Sequence, residues 1–425
     1  MNEEIQVKRQ TKLFLFALFL VGAVESWHYF EFKMTEFNTT LFALNYQYGF
    51  ISRGMLGTLW KLLDMLLPAD LMTYGAIYKF NLLFTIVTYA LLFLFFYLCL
   101  TSRFIRRDSR YPETVRNSQY LSAFIGVFTF PDFFIEEMFG RLDIYLVFVM
   151  LFVLILLVTE KAEWLTVPAV LFAMCIHQGF VFTNFSIILV VLFAKALLGE
   201  GRRRKKYLWI FFLSLISASI LLFYFELSGK GTEAAHVNDI IRAAQQLSWD
   251  GKSYNKSIIQ HEVLGNSVFF MELRYHFDNY REFPAFLLLS IPWILIAIRF
   301  FRGLRSDEKN RVPGKKRALT KYGWINLAYS LGGLTIVPEM ILKVDYGRYA
   351  YMTFFYYLAT ALVLISMGYQ PITEQIQQVK LWIRTKCSMP ALLLVYAFFM
   401  TPFFDVIMNA PTYKVSQWLF GWIHF

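Results

Sequence analysis

Long apolar runs alternate with short polar segments along nearly the whole chain. A helix needs about 17–25 mostly apolar residues to cross the hydrocarbon of a bilayer. Reading for that length gives eleven candidate spans, near 13–30, 75–101, 119–134, 143–158, 164–177, 180–198, 207–228, 283–301, 322–337, 349–368 and 389–408. Those at 119–134, 164–177 and 322–337 are short, and 164–198 admits a second parse as a re-entrant segment plus one span. The pattern therefore predicts an all-α, polytopic helical membrane protein with about eleven transmembrane helices, forming one transmembrane domain over 1–425. Two connections are long, 31–74 and 229–282, the second marked by turn signals at Gly229-Lys230-Gly231 and Asp250-Gly251. Within the first, Ser52–Leu67 sets Met55, Leu56, Leu59, Trp60, Leu62, Leu63 and Leu66 on a broad apolar face opposite Lys61 and Asp64, and Pro68 stops the run. That spacing predicts an amphipathic helix lying in the membrane interface.

Composition sharpens the class. The 425 residues are 57% hydrophobic, 19% aromatic and 17% charged, whereas soluble domains carry about 25% charged residues. Soluble, disordered and disulfide-scaffold proteins are excluded, since the three cysteines (Cys99, Cys175, Cys387) lie in or beside apolar segments. The first apolar run, Leu13–Phe30, lacks a small-residue cleavage site and reads as an uncleaved span.

The net charge of +11 would suggest nucleic acid until it is mapped onto the spans. With the N-terminus inside, the segments 1–12, 102–118, 159–163, 199–206, 299–321 and 369–387 hold 26 of the 41 Lys and Arg. Basic residues flanking spans set orientation. The expected protein sits in the plasma membrane with a cytoplasmic N-terminus and an outside C-terminus. Its basic residues meet membrane lipid, and no nucleic-acid partner is implied.

On that map all six histidines fall outside, and acids gather at outer span ends: Glu25, Asp132, Glu136, Glu137, Asp143, Glu226, Glu339, Asp345 and Asp405. Ionisable groups at membrane depth are costly and face a cavity, a partner or a functional path. Arg stands beside Gly at Ser52-Arg53-Gly54, Gly140-Arg141 and Gly347-Arg348. Guanidinium forks suit phosphate, and glycine permits close approach. Internal ion pairs between helix ends would account for the same residues. His177-Gln178, at the turn within 164–198, reads either as a substrate contact or as a cap of that turn. No histidine or cysteine spacing matches a metal site, and whether a divalent cation assists is left open. No phosphate-binding glycine loop or serine nucleophile elbow is present.

Chemistry outside the cell needs an activated donor that dwells in the membrane, and polyprenyl-linked sugars meet that need. Glycosyl transfer calls for a base at the acceptor and for cations on the departing phosphate. Here the arrangement resembles the GT-C superfamily of membrane glycosyltransferases. The resemblance rests on Glu25-Ser26-Trp27-His28-Tyr29 at the end of the first span and on Asp132-Phe133-Phe134-Ile135-Glu136-Glu137, then Gly140-Arg141-Leu142-Asp143, in the second outer turn. The chain departs from that family in having Glu at the first place and no Asp-x-Asp at the second. It is also similar to bacterial surface-polysaccharide polymerases, with Arg53, Arg141, Arg274 and Arg348 as the outer arginines. These resemblances imply a lipid-linked sugar donor as partner, a catalytic base among Glu25, Glu137 and Asp143, and a donor-binding set of Arg53, Arg141, His177, Asp345 and Arg348. A transporter or flippase of lipid-linked or anionic solutes is the alternative. The enzyme reading expects these groups to converge in one outward-opening pocket.

Overall fold

The computed structural model describes residues 2–29, 33–51, 53–106, 111–132, 139–227, 234–259, 291, 294–304, 320–342 and 346–386, and no strand occurs among them. Four of the described stretches are long and apolar enough to cross a bilayer: Tyr74–Ile105, Leu142–Thr159, Gln178–Leu198 and Gly201–Phe225. Glu163–Ile176 and Tyr351–Ser366 are shorter apolar helices. The chain is a helical membrane protein. The expected span at 389–408 and most of that at 283–301 lie outside the described residues.

The helices are α1 (Asn2–Tyr29), α2 (Glu36–Ala43), α3 (Gly54–Leu66), α4 (Tyr74–Leu100), α5 (Arg103–Arg106), α6 (Tyr111–Asp132), α7 (Leu142–Thr159), α8 (Thr166–Ile176), α9 (Phe185–Leu198), α10 (Gly201–Leu227) and α11 (Ala234–Gln246). Further along come Lys321–Gly332, Val337–Leu342, Tyr346–Ser366 and Gln370–Lys386. Helix α7 is the centre. It packs on α4, α8 and α9 and buries residues around its whole circumference, from Leu142 and Ile144 to Leu154 and Leu157. By contrast α10 leaves Trp209, Phe212, Ile216, Ile220 and Phe223 exposed, and α1 does the same with Leu13, Phe16, Leu20 and Val24. Large apolar stripes of this kind are solvated by lipid chains and not by water.

The bundle has two distinct ends. At one, called here the loop end, α2, α3 and α11 form a layer. Helix α11 packs on α2, Asn255 N donates to Thr40 Oγ1 at 2.9 Å, and the Tyr48 and His236 rings lie 5.3 Å apart. The two long connections thus fold onto each other. Helix α3 is amphipathic in a divided sense: Leu56, Gly57 and Trp60 face protein, while Leu59, Leu62, Leu63, Met65 and Leu66 are exposed. Gly57 sets its seat, because a Cβ there would fall 1.9 Å from the Leu44 carbonyl oxygen. The other end, the basic end, gathers residues 101–106, 159–163 and 199–206.

The segment 163–198 is a hairpin with both feet at the basic end. Glu163 meets Lys206 at 2.8 Å, and Lys195 meets Glu160 at 3.1 Å. Helix α8 has 11 residues, about 16 Å of rise against a hydrocarbon core of about 30 Å. With the 3-10 turn Glu163–Leu165 before it, the arm is the shorter apolar helix Glu163–Ile176, whose far end meets the loop layer at the Cys175 carbonyl. The return arm reaches crossing length only by adding the 3-10 turn at Gln178–Val181 to α9.

Candidate functional site

Two groups of the expected site residues are placed by this frame. The first surrounds the start of α7. Gly140 adopts φ +81°, against Met34 and Asn81, a conformation that favours glycine. The turn delivers Arg141 and Asp143 to the first turn of α7, where the amide ends of the helix favour a carboxylate. Arg141 Nε and Asp143 Oδ2 lie 3.6 Å apart, with the carboxylate side chain only 6% exposed. The Arg141 guanidinium also sits 5.3 Å over the ring of Phe37 on α2. Neutral groups complete the surroundings. Asn38 Nδ2 donates to Phe139 O at 2.8 Å, and Tyr145 OH donates to Asn81 Oδ1 at 2.6 Å.

The second group lies where the loop layer dips to meet the hairpin. Arg53, immediately before α3, is held in the left-handed region at φ 63°, a conformation that costs a non-glycine residue about 1–2 kcal/mol. The ring of Tyr46 underlies Gly54, 2.7 Å from where a Cβ would stand. Tyr46 N donates to Thr58 Oγ1 at 2.8 Å, and its hydroxyl donates to the Cys175 carbonyl at 3.4 Å. Burial raises the Tyr46 phenol well above its ordinary value. Two residues beyond Cys175, His177 Nδ1 accepts the amide of Gly179 at 3.0 Å. The imidazole thus caps the hairpin turn, as one of the two sequence readings had it.

Next along the tip, Asn184 and Ser186 are 2% and 5% exposed, and Asn184 Nδ2 and Ser186 Oγ have no hydrogen-bond partner among the described residues. A second helix break faces this one. Between Lys321–Gly332 and Val337–Leu342 runs a 3-10 turn, Gly333–Ile336. Its Thr335 hydroxyl reaches Phe182 O at 3.1 Å. Two interrupted helices therefore meet at the hairpin tip.

Among the other expected residues, Glu25 lies near the end of α1 and Arg348 in the first turn of Tyr346–Ser366. Glu137 and Asp345 lie outside the described residues. The structure joins Arg141 to Asp143, and brings the Tyr46 ring, which lies against Gly54 beside Arg53, to the Cys175 carbonyl two residues before His177. A cleft of about 280 Å³ lined by described residues is at the basic end. No three acidic, imidazole or thiol groups among the described residues come together as metal ligands.

No family model, curated protein or solved structure matches this chain.

Sequence reasoning centred on charge missed the neutral polar groups: Tyr46, Asn81, Tyr145, Asn184, Ser186 and Thr335. A signal existed for some. Asn81 and Asn184 stand inside otherwise apolar runs, where a lone amide is costly without a purpose.

Proposed function

We propose that the protein is a membrane glycosyltransferase of about eleven spans with a GT-C-like plan. Its loop end faces outside and its basic end faces the cytosol. It takes a polyprenyl-phosphate- or diphosphate-linked sugar as donor, in cell-surface polysaccharide or glycoconjugate synthesis, with repeat-unit polymerisation as one form of that chemistry. The observation that carries the reading is the Arg141–Asp143 pair, set at the start of α7 under the α2 layer with its carboxylate buried. Asp143 is the base that takes the acceptor proton as the glycosidic bond to phosphate breaks, and Arg141 receives the charge developing on the departing phosphate. The exposed leucines of α3 give the polyprenyl tail an apolar edge on which to lie. Arg53 and Arg348 serve the second phosphate of a diphosphate donor, and Glu25 and Glu137 remain alternative bases.

The test uses purified full-length protein in nanodiscs with a radiolabelled polyprenyl-linked sugar. Transfer by the wild type and its loss in Asp143→Asn, with insertion unchanged, support the reading. Full transfer by Asp143→Asn, Glu25→Gln and Glu137→Gln alike removes it.

A second reading draws on the two helix breaks joined by Thr335 and Phe182. Interrupted helices at membrane depth are how transporters expose backbone to a solute, and Asn184 Nδ2 and Ser186 Oγ, which find no partner among the described residues, suit that role. Movement of labelled lipid between leaflets without any product would favour it.

A further inference from the structure

The basic end holds a cleft that the proposed chemistry does not use. Four helices end at it: α4, α7, α9 and Tyr346–Ser366. It is lined by the polar Thr101, Ser102, Arg103, Glu160, Lys195 and Ser366 and by the apolar Leu98, Phe104, Val158 and Met367. At its centre Glu160 is shared by three cations. Lys195 Nζ lies 3.1 Å from Oε1, Arg103 Nη2 lies 3.6 Å from Oε2, and Arg203 also pairs with Oε1. Glu160 ends α7 in a left-handed conformation at φ 59°, which turns the chain back toward these partners.

The three cations are not equivalent. The Lys195 side chain is 2% exposed, and its other polar partner is Tyr207 OH at 3.4 Å. It is committed to the protein. Arg103 and Arg203 are 57% and 44% exposed. Each has a fork of donors that one shared carboxylate cannot satisfy. Ser102 Oγ accepts the Ile105 amide at 3.3 Å and keeps its own proton to donate. Helix C-termini themselves attract cations, at roughly half a negative charge each, and four of them offset part of the positive charge. The segments 101–106, 159–163 and 195–206 nevertheless carry nine Lys and Arg against three Glu. The surplus exceeds what four helix ends neutralise.

We propose that this cleft binds a phosphate group. Arg103 in its lining and Arg203, which reaches it by pairing with Glu160, would grip its oxygens, with Lys195 also pairing Glu160, and the apolar lining would take the first methylenes of an acyl chain. The volume of about 280 Å³ fits a headgroup and not a whole lipid, being at the foot of the usual range for ligand pockets. Phosphate at such a site comes either from an anionic phospholipid or from solution.

The experiment is the unfolding midpoint of the full chain in phosphatidylcholine nanodiscs. It is titrated with short-chain phosphatidylglycerol and, in parallel, with inorganic phosphate, since a ligand of the folded state raises that midpoint. A midpoint raised by the lipid alone assigns the site to a headgroup, and one raised also by inorganic phosphate assigns it to the phosphate group itself. Arg103→Ala with Arg203→Ala should weaken the effect about tenfold or more, as loss of charge-assisted hydrogen bonds implies. Arg204→Ala with Lys205→Ala removes the same charge from the same face but not from the cleft, and should weaken it less than about twofold on exposed-charge grounds. Glu160→Gln should retain or tighten binding by freeing both arginines, and it decides the matter if the alanine pair fails to insert. Equal loss in the two double variants, loss in Glu160→Gln, or no response of the wild type to either probe overturns the site.

Discussion

At the loop end, buried polar groups are held mostly by neutral partners: Asn38 by the Phe139 carbonyl, Asn81 by Tyr145 and the Ile77 carbonyl, and Tyr46 by the Cys175 carbonyl. At the basic end they are held in a charged net, in which Glu160 serves three cations and Glu163 serves Lys206 and Tyr207. The difference is one of redundancy. Removing one cation of the net leaves the carboxylate paired with the others. Removing a neutral partner such as Tyr145 takes a bond from a buried amide oxygen that has no charged neighbour in reserve, at a cost of about 1–3 kcal/mol. The loop end is therefore the specific but fragile part of the molecule, and the basic end the tolerant one.

The largest expected effect tests whether the one described ion pair of the loop-end site is chemical. Asp143→Asn should lower sugar transfer by about 10²–10⁴-fold, the usual contribution of a general base, with the variant still eluting as intact protein. Equal loss of protein and activity would return the pair to a structural role. Second, Gly57→Leu drives a side chain into the Leu44 carbonyl. It should destabilise the loop layer by about 3 kcal/mol on the scale of overpacked sites, read from protease sensitivity of α3 and from the thermal midpoint.

Third, Lys195→Met removes a cation from the net while leaving Glu160 with two arginines, and should cost no more than about 1 kcal/mol, well below the roughly 3–5 kcal/mol of breaking an isolated buried pair. A loss of that larger size would show that the net has no redundancy. Fourth, Tyr46→Phe should cost about 0.5–1 kcal/mol at neutral pH, the net worth of one hydrogen bond. Its pH signature is distinctive. The Tyr46 phenol is raised above its ordinary value of 10.0, so above that pH the unfolded chain releases a proton that the folded chain keeps, and stability falls as pH rises. The wild type should lose more stability than Tyr46→Phe in alkaline melts.

Local pattern made much of the fold legible. The span expected at 143–158 is α7, Leu142–Thr159, and the amphipathic run 52–67 is α3, Gly54–Leu66. Helix α10 begins at Gly201, earlier than its apolar run, because hydropathy marks where lipid ends and not where a helix ends. The basic block 202–206 stays helical and turns Arg203 and Lys206, three apart, toward Glu160 and Glu163. The Arg141–Asp143 pair was legible because its members are neighbours. The contact of Tyr46 with the Cys175 carbonyl, separated by 129 positions, was not, because it depends on how far a loop descends into the bundle. That descent is set by backbone features such as the left-handed Arg53 and the close approach at Gly57.

The hairpin with both feet on one side has a bearing on biogenesis. The outgoing helix has only 11 residues, short of the usual span of about 17–25, so during synthesis it has little hold on the bilayer alone. Two of the residues that tie its feet down, Arg203 and Lys206, are made only after the whole hairpin. Insertion of this element is therefore a single late event, completed when α10 is threaded.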